Sequence, residues 1–278
     1  MVRAPERPST GPRIMGILNV TPDSFSDGGR HSDTERAVRH GMAMIDEGAD
    51  LIDVGGESTR PGSQPVPARE QQRRVIPVIE RLSASLPERI RVSIDTTSAQ
   101  VAEAALEAGA HWINDTSAGC DDAGMLALAA ERAAPIVLMH RRGTPLSMQK
   151  NPTYVDVVNE VRDFLSARVD AALAAGVAEQ NLLIDPGIGF GKTFGHNLAL
   201  LAGLGELVRM GWPVLLGTSR KRFLSSLCGE PDFAALMPAT CATTAIGVMA
   251  GVRVFRVHDV AGNRQAADVA WAIREATA

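Results

Sequence analysis

Eight short apolar runs recur along the 278 residues, and most are followed by a stretch with helical periodicity. The runs cover residues 14–19, 51–55, 91–95, 112–115, 136–140, 182–185, 214–218 and 254–258. Most are β-branched or Leu-rich and continuous rather than alternating, the pattern of strands covered on both faces. The intervening spacing predicts helices over 33–47, 68–85, 98–108, 125–132, 155–175, 197–210, 238–249 and 261–275. Ser98 reads as an N-cap. Gly48, Gly109, Gly176, Gly211 and Gly251 each follow a helical run, where a left-handed C-cap favours glycine. Strand–helix alternation repeated eight times predicts parallel strands closing into an α/β fold, a (β/α)8 TIM barrel. A doubly wound open sheet is disfavoured, because no G-x-G-x-x-G follows the first run.

The length suits a single such barrel, typically about 250 residues. Aromatics are only 4%, so the core falls to Ala, Val, Ile, Leu and Met. A net charge of −4 argues against a nucleic-acid or anionic-membrane binder. Cys120, Cys228 and Cys241 form no C-x-x-C pair, which argues against a disulfide framework or a four-cysteine zinc site and for a reducing cytoplasm. Residues 1–13 are polar and rich in Pro and Arg, with no apolar signal core. They are expected to be a flexible tail, with the barrel over 14–278. No run of about 18 apolar residues stands out, so no membrane span is expected.

Almost every run ends in a polar residue: Asn19, Asp53, Asp95, Asn114 with Asp115, His140, Asp185, Thr218 with Ser219, and Arg256 with His258. Chemistry in this fold sits at those strand ends. Asp95, Asn114 and Asp185 can converge in the mouth. Two acids and an amide suit a flat ligand with an amidine-like donor edge and a carbonyl, as in a pterin or guanine. The plain structural alternative is loop or helix capping, for which Asp115 before Thr-Ser is a fair case. Metal binding by the two acids lacks a His or Glu cluster nearby.

Thr218-Ser219-Arg220-Lys221-Arg222 places hydroxyls and three cations at a strand-to-helix turn, an anion site beside Arg256 and His258. Residues 21–29 and 55–62 read as polar, glycine-rich lids that exclude water. The stretch 185–192 lacks phosphate-loop spacing; its glycines let backbone pass close to a ligand, with Phe190 and Lys192 at the edge. Met139 is a candidate apolar wall. His140, Arg141 and Arg142 carry no assigned role, and Arg73-Arg74 reads as a solvated helix face.

The segments NVTPDSFSDGG, DVGGESTRPG, SIDT, WINDTS, LIDPGIGFGKT, GTSRKRF and FRVHDV resemble those of the dihydropteroate synthases, in that family's order, from Ile14 to His258. The resemblance implies a barrel that joins 6-hydroxymethyl-7,8-dihydropterin diphosphate to p-aminobenzoate in folate biosynthesis. It implies that Asp95, Asn114, Asp185, Lys221, Met139 and Gly217 hold the pterin. Asn19, Arg256 and His258 would hold the diphosphate, with Asn19 also on Mg2+. Phe25, Thr59, Arg60, Pro61, Phe190, Ser219 and the backbone at Arg222 would frame p-aminobenzoate. Asp27 would face the developing cation, and Asp27, Lys221, Arg256 and His258 make the expected catalytic set. A homodimer and sulfonamide targeting are implied in the same way. A corrinoid-type pterin methyltransferase has no use for the two basic segments. A silent paralogue should have lost Asp23, Asp27 or Lys221, and an aldolase needs a Schiff-base Lys within a strand.

Overall fold

A computed structural model describes residues 11–21, 30–58 and 62–276. The strands are β1 (Arg13–Asn19), β2 (Leu51–Gly55), β3 (Arg91–Asp95), β4 (Trp112–Asp115), β5 (Ile136–Met139), β6 (Leu182–Asp185), β7 (Leu215–Leu216) and β8 (Val254–Val257). They form one parallel sheet in the order β6-β5-β4-β3-β2-β1-β8-β7. Ile184 bridges Val214, and its N–H donates to the Pro213 carbonyl at 3.0 Å, so the two edges meet and the barrel closes.

Helices alternate with the strands: α1 (Arg30–Asp46), α2 (Ala68–Ser85), α3 (Ala99–Glu107), α4 (Met125–Glu131), α5 (Val157–Ala174), α6 (Phe194–Ala202), α7 (Leu204–Val208), α8 (Arg222–Cys228), α9 (Met237–Ala250) and α10 (Val260–Glu275). Their apolar faces cover the outside of the sheet. Val75, Val78, Ile79 and Leu82 of α2 and Val161, Leu165 and Val169 of α5 are buried there with the strands. The glycines at 48, 109, 176, 211 and 251 all have φ between 88 and 105°, as a left-handed cap requires.

Several boundaries move for local reasons. α5 starts at Val157 because Asp156 caps it, accepting from Val158 and Asn159 N–H. Thr193 and His196 form a reciprocal capping pair, so α6 begins at Phe194, three residues before its expected start, and Gly203 splits the segment into α6 and α7. Ser98 precedes α3 without a side-chain capping bond; Asp122 Oδ2 accepts from Ala99 N–H at 2.8 Å instead. β7 is only two residues long, since Thr218 turns out to bond the Thr243 hydroxyl at 2.7 Å. α8 was not placed by periodicity, although its start was expected at the strand-to-helix turn after Thr218.

One stretch, residues 233–250, is long and apolar enough, by length and composition alone, to cross a membrane, although Pro238, Thr240, Thr243, Thr244 and Gly247 interrupt it. In the fold they form a 3-10 turn and α9. Buried Thr240, Thr243 and Thr244 interrupt the apolar face, and Thr244 bonds Asn263 of α10 at 2.7 Å.

Candidate active site

Met15, Leu51, Trp112, Val137, Leu183, Leu215 and Val254 form a buried apolar cluster of their own, apart from the main core. Ladder pairing joins Met15 to Leu51 and Leu215 to Val254, so these residues plug one level of the barrel interior. Side chains two residues apart on a strand share a face. Two residues beyond the plug stand Ile17, Asp53, Asn114, Met139, Asp185, Gly217 and Arg256. The polar strand ends therefore face inward onto an apolar floor. Asp95 joins them through its register with Gly55 and Asn114.

Arg256 is the centre of the charge network. Its Nε donates to Asp53 Oδ2 and its Nη2 to Asp95 Oδ2, each at 2.6 Å. Asn114 Nδ2 donates to the same Asp53 oxygen at 3.0 Å. Burial works against the Arg256 charge, but Asp53 and Asp95 outweigh it, and the guanidinium's proton is held above the ordinary range. Burial pushes the Asp95 carboxyl up; Arg256 pulls it back, and neighbouring Asp53 and Asp115 add to the rise.

Asp185 Oδ1 accepts from Gly187 N–H at 2.6 Å. Burial raises this carboxyl to about 6, opposed by the Gly187 bond and by Lys221. Lys221 is lowered to about 8 by burial, with Asp185 working the other way. Its Nζ lies 4.1 Å over the Phe190 ring. Acid and amine thus sit together with both values moved toward neutrality, a common property of binding and reacting groups.

These groups border a cavity of about 750 Å³. Asn19, Asn114, Met139, Asp185 and Gly217 line it from the barrel. Phe190, Ser219, Lys221, Arg222, Arg256 and His258 line it from the β6, β7 and β8 ends. Asp95 lies behind Arg256 rather than on the wall. Ser219 Oγ and His258 Nδ1 are 3.0 Å apart, which ties the two basic segments together. Arg220 lines the cavity together with Lys221 and Arg222, while its Nη2 also bonds Asp259 at 2.9 Å.

Lys192 lines the cavity beside Phe190, as its expected place at a ligand's edge requires, and is held from within. It is buried, and its Nζ bonds the Gly187 and Phe190 carbonyls at 2.8 and 3.0 Å and His140 Nδ1 at 2.9 Å. It staples the β6–α6 loop from within. His140, lowered to about 3 by burial and by Lys192, is a neutral acceptor in that staple. Gly187 has φ +65°, and a Cβ there would stand 1.9 Å from the His140 carbonyl oxygen. Gly187→Ala is expected to cost about 3 kcal/mol or more from strain and overlap together, read as a shifted urea midpoint.

The expected lid residues Asp23, Phe25, Asp27, Thr59, Arg60 and Pro61 lie outside the described residues. Beside them, Glu57 accepts from Val66 N–H and Gln71 Nε2, anchoring the second loop to α2. Asp115 is a capping residue: it accepts from Ser117 N–H and Oγ, both at 2.7 Å, and from Gly119 N–H. Asp53 and Lys192 were named in sequence, the first as a polar strand end and the second at a ligand's edge, but their partners were not legible there; an acid between Ile52 and Val54 in a strand buried on both faces was the available signal for the first.

The family model of the pterin-binding enzymes matches residues 15–258. A dihydropteroate synthase of Mycobacterium leprae is 49% identical, over 93% of this chain and 93% of its own. The chain belongs to the dihydropteroate synthase family. The dihydropteroate synthase of Synechocystis sp. is 45% identical over 94% of this chain and 89% of its own. That of Xanthomonas albilineans, solved with 4-aminobenzoic acid, superposes with a TM-score of 0.89 at 47% identity, covering 95% of this chain and 93% of its own. Like other dihydropteroate synthases, the chain is a transferase, and its barrel carries the family's fold.

Proposed function

We propose that the protein condenses 6-hydroxymethyl-7,8-dihydropterin diphosphate with p-aminobenzoate, giving 7,8-dihydropteroate and diphosphate in folate biosynthesis. One observation carries this reading. Asp185, Asn114 and Lys221 share a single cavity with a cationic rim at the β7 and β8 ends, and Asp95 stands behind its wall, bonded to Arg256. The Xanthomonas albilineans relative solved with 7,8-dihydropteroate is 44% identical and supports the same product.

Asp95, Asn114, Asp185 and Lys221 hold the ring, with Met139 and Gly217 beside it. Asp95 Oδ1 is buried and has no hydrogen-bond partner among the described residues, so it has acceptor capacity for a donor edge. Asn19, Arg256 and His258 hold the diphosphate. Phe25, Thr59, Arg60, Pro61, Phe190, Ser219 and the Arg222 backbone frame p-aminobenzoate. The bond from the methylene carbon to diphosphate oxygen breaks, and its electron pair leaves with diphosphate. Cationic Arg256 and the donors around it stabilise that charge. The ring spreads the positive charge left behind, faced by Asp27. The arylamine lone pair then closes the C–N bond, and the nitrogen gives up its extra proton. No strong base is needed, because an aniline nitrogen is already neutral at pH 7.

Magnesium belongs to this reading. No group of three or more His, Cys, Asp or Glu side chains among the described residues could hold a metal. Mg2+ keeps several waters and takes substrate phosphates with few protein ligands, so the Asn19 amide oxygen beside a diphosphate fits it. Bound there, it would offset charge on the leaving group. Exposed Met237, Met249, Val269 and Ile273 on α9 and α10 surround an apolar groove suited to a second copy of the chain, and sedimentation of the purified protein reads that homodimer. The unpaired thiols of Cys120, Cys228 and Cys241 suit the cytoplasm. A sulfonamide, as found with the Yersinia pestis relative, would compete for the p-aminobenzoate subsite.

The test is diphosphate release from the pterin diphosphate in Mg2+, with and without p-aminobenzoate. Release that requires p-aminobenzoate and yields dihydropteroate is expected; tight pterin binding without turnover overturns the assignment. Lys221→Ala is expected to lower kcat/KM by about 100-fold, the scale of one buried charge-assisted bond with its electrostatic role. Near-unchanged turnover would remove Lys221 from the site.

A further inference from the structure

Asp53 is fully buried in the middle of β2. In the sheet order β8-β1-β2-β3-β4, its strand lies two places from β8 and two from β4. Its Oδ2 reaches both, accepting from Arg256 Nε at 2.6 Å and from Asn114 Nδ2 at 3.0 Å. One carboxylate oxygen thus ties together two residues that border the cavity, while Asp53 itself does not border it.

Each bond restricts a freedom that matters for the chemistry. Arg256 also holds Asp95, through Nη2. With that bond alone a guanidinium can swing about its contact; with Nε anchored as well, its plane is set. An amide such as Asn114 presents either a donor or an acceptor, depending on its flip. An ionised carboxylate only accepts, so it captures the Nδ2 group and leaves the Asn114 carbonyl oxygen for the cavity side.

We propose that Asp53 is a positioning residue that aims Arg256 and fixes the Asn114 flip. Building on the pterin diphosphate reading above, it sets the leaving-group donor through Arg256 and the polarity of ring recognition through Asn114. It acts through these two residues and touches no reacting atom.

The test compares wild type, Asp53→Asn, Asn114→Ala and the double variant. Asp53→Asn keeps shape and an acceptor oxygen but loses the charge and the constraint on the flip. It is expected to lower kcat for diphosphate release about 100-fold and to weaken pterin binding about 10-fold. In the double variant, pterin affinity should equal that of Asn114→Ala alone, because the binding part of the Asp53 effect runs through Asn114. A merely structural role would lower the melting temperature and leave both constants of the folded enzyme unchanged. Asp53→Glu, which keeps the charge but displaces it by one methylene, should also lose kcat, and it carries the test if Asp53→Asn fails to fold. Wild-type kcat and pterin affinity in either folded variant, or additive losses in the double variant, overturn the inference. Failure of the functional reading looks different: wild type itself would release no diphosphate with p-aminobenzoate. The pterin-affinity comparison would still decide the role of Asp53.

Discussion

Arg256→Leu is expected to abolish measurable p-aminobenzoate-dependent diphosphate release, a loss of about 10³-fold or more in kcat/KM. Two effects add. The variant removes the cation proposed to hold the departing diphosphate. It also strips Asp53 and Asp95 of a partner held at 2.6 Å on each side. Leaving buried carboxylates unpaired typically costs about 3–5 kcal/mol, so the melting temperature should fall as well. The stability loss has a defined sign with pH. Without Arg256, whose charge now offsets it, burial would favour the protonated form of Asp95 more strongly still. The variant should be least stable at high pH and recover as pH falls and Asp95 takes up its proton. Arg256→Lys keeps the charge but presents a point donor that cannot bridge both acids. It should recover part of the stability and little of the rate. Wild-type kinetics in the Leu variant would remove Arg256 from the mechanism.

The second large effect is expected at Asp185. Two charge-assisted N–H bonds from a ring edge are each worth about 1.5–3 kcal/mol, so Asp185→Ala should weaken pterin binding by about 10²–10⁴-fold. Isothermal titration with the unesterified pterin reads this without turnover. The wild type carries a pH signature of the same group. Its folded-state value of about 6 exceeds the ordinary 3.8. Ring binding needs the ionised form, so pterin affinity should fall as pH drops through about 6. Stability of the ligand-free protein moves oppositely for this group. The folded state binds the proton more tightly, so the unfavourable contribution present above 6 is relieved as pH falls toward 4. Pterin affinity that is flat from pH 5 to 8 would show that Asp185 does not bind as a carboxylate.

The barrel was legible because its signal repeats. Each strand is covered on both faces and reads as a continuous apolar run, and each ends where chemistry belongs. The position of Asp95, Asn114 and Asp185 on neighbouring inward registers followed from the same periodicity. What stayed hidden depended on geometry that spacing does not encode. Arg220 and Lys221 are adjacent cations in sequence, yet the backbone at Arg220 turns left-handed, with φ 55°, and sends one to Asp259 and the other over Phe190. Lys192 looks like a loop-end charge until its three acceptors are placed around it.

The apolar plug beneath the site limits how the enzyme can evolve. Apart from Asp95 on β3, each inward strand residue around the ring pocket lies two positions from a plug residue on the same backbone. A shift of one such strand to admit or reject a ligand would also disturb the floor, and with it the ring pocket fed by the other strands. Discrimination between p-aminobenzoate and its drug mimics therefore has to be learned in the connecting loops. Resistance should collect there, while the inner wall stays nearly frozen across otherwise divergent descendants.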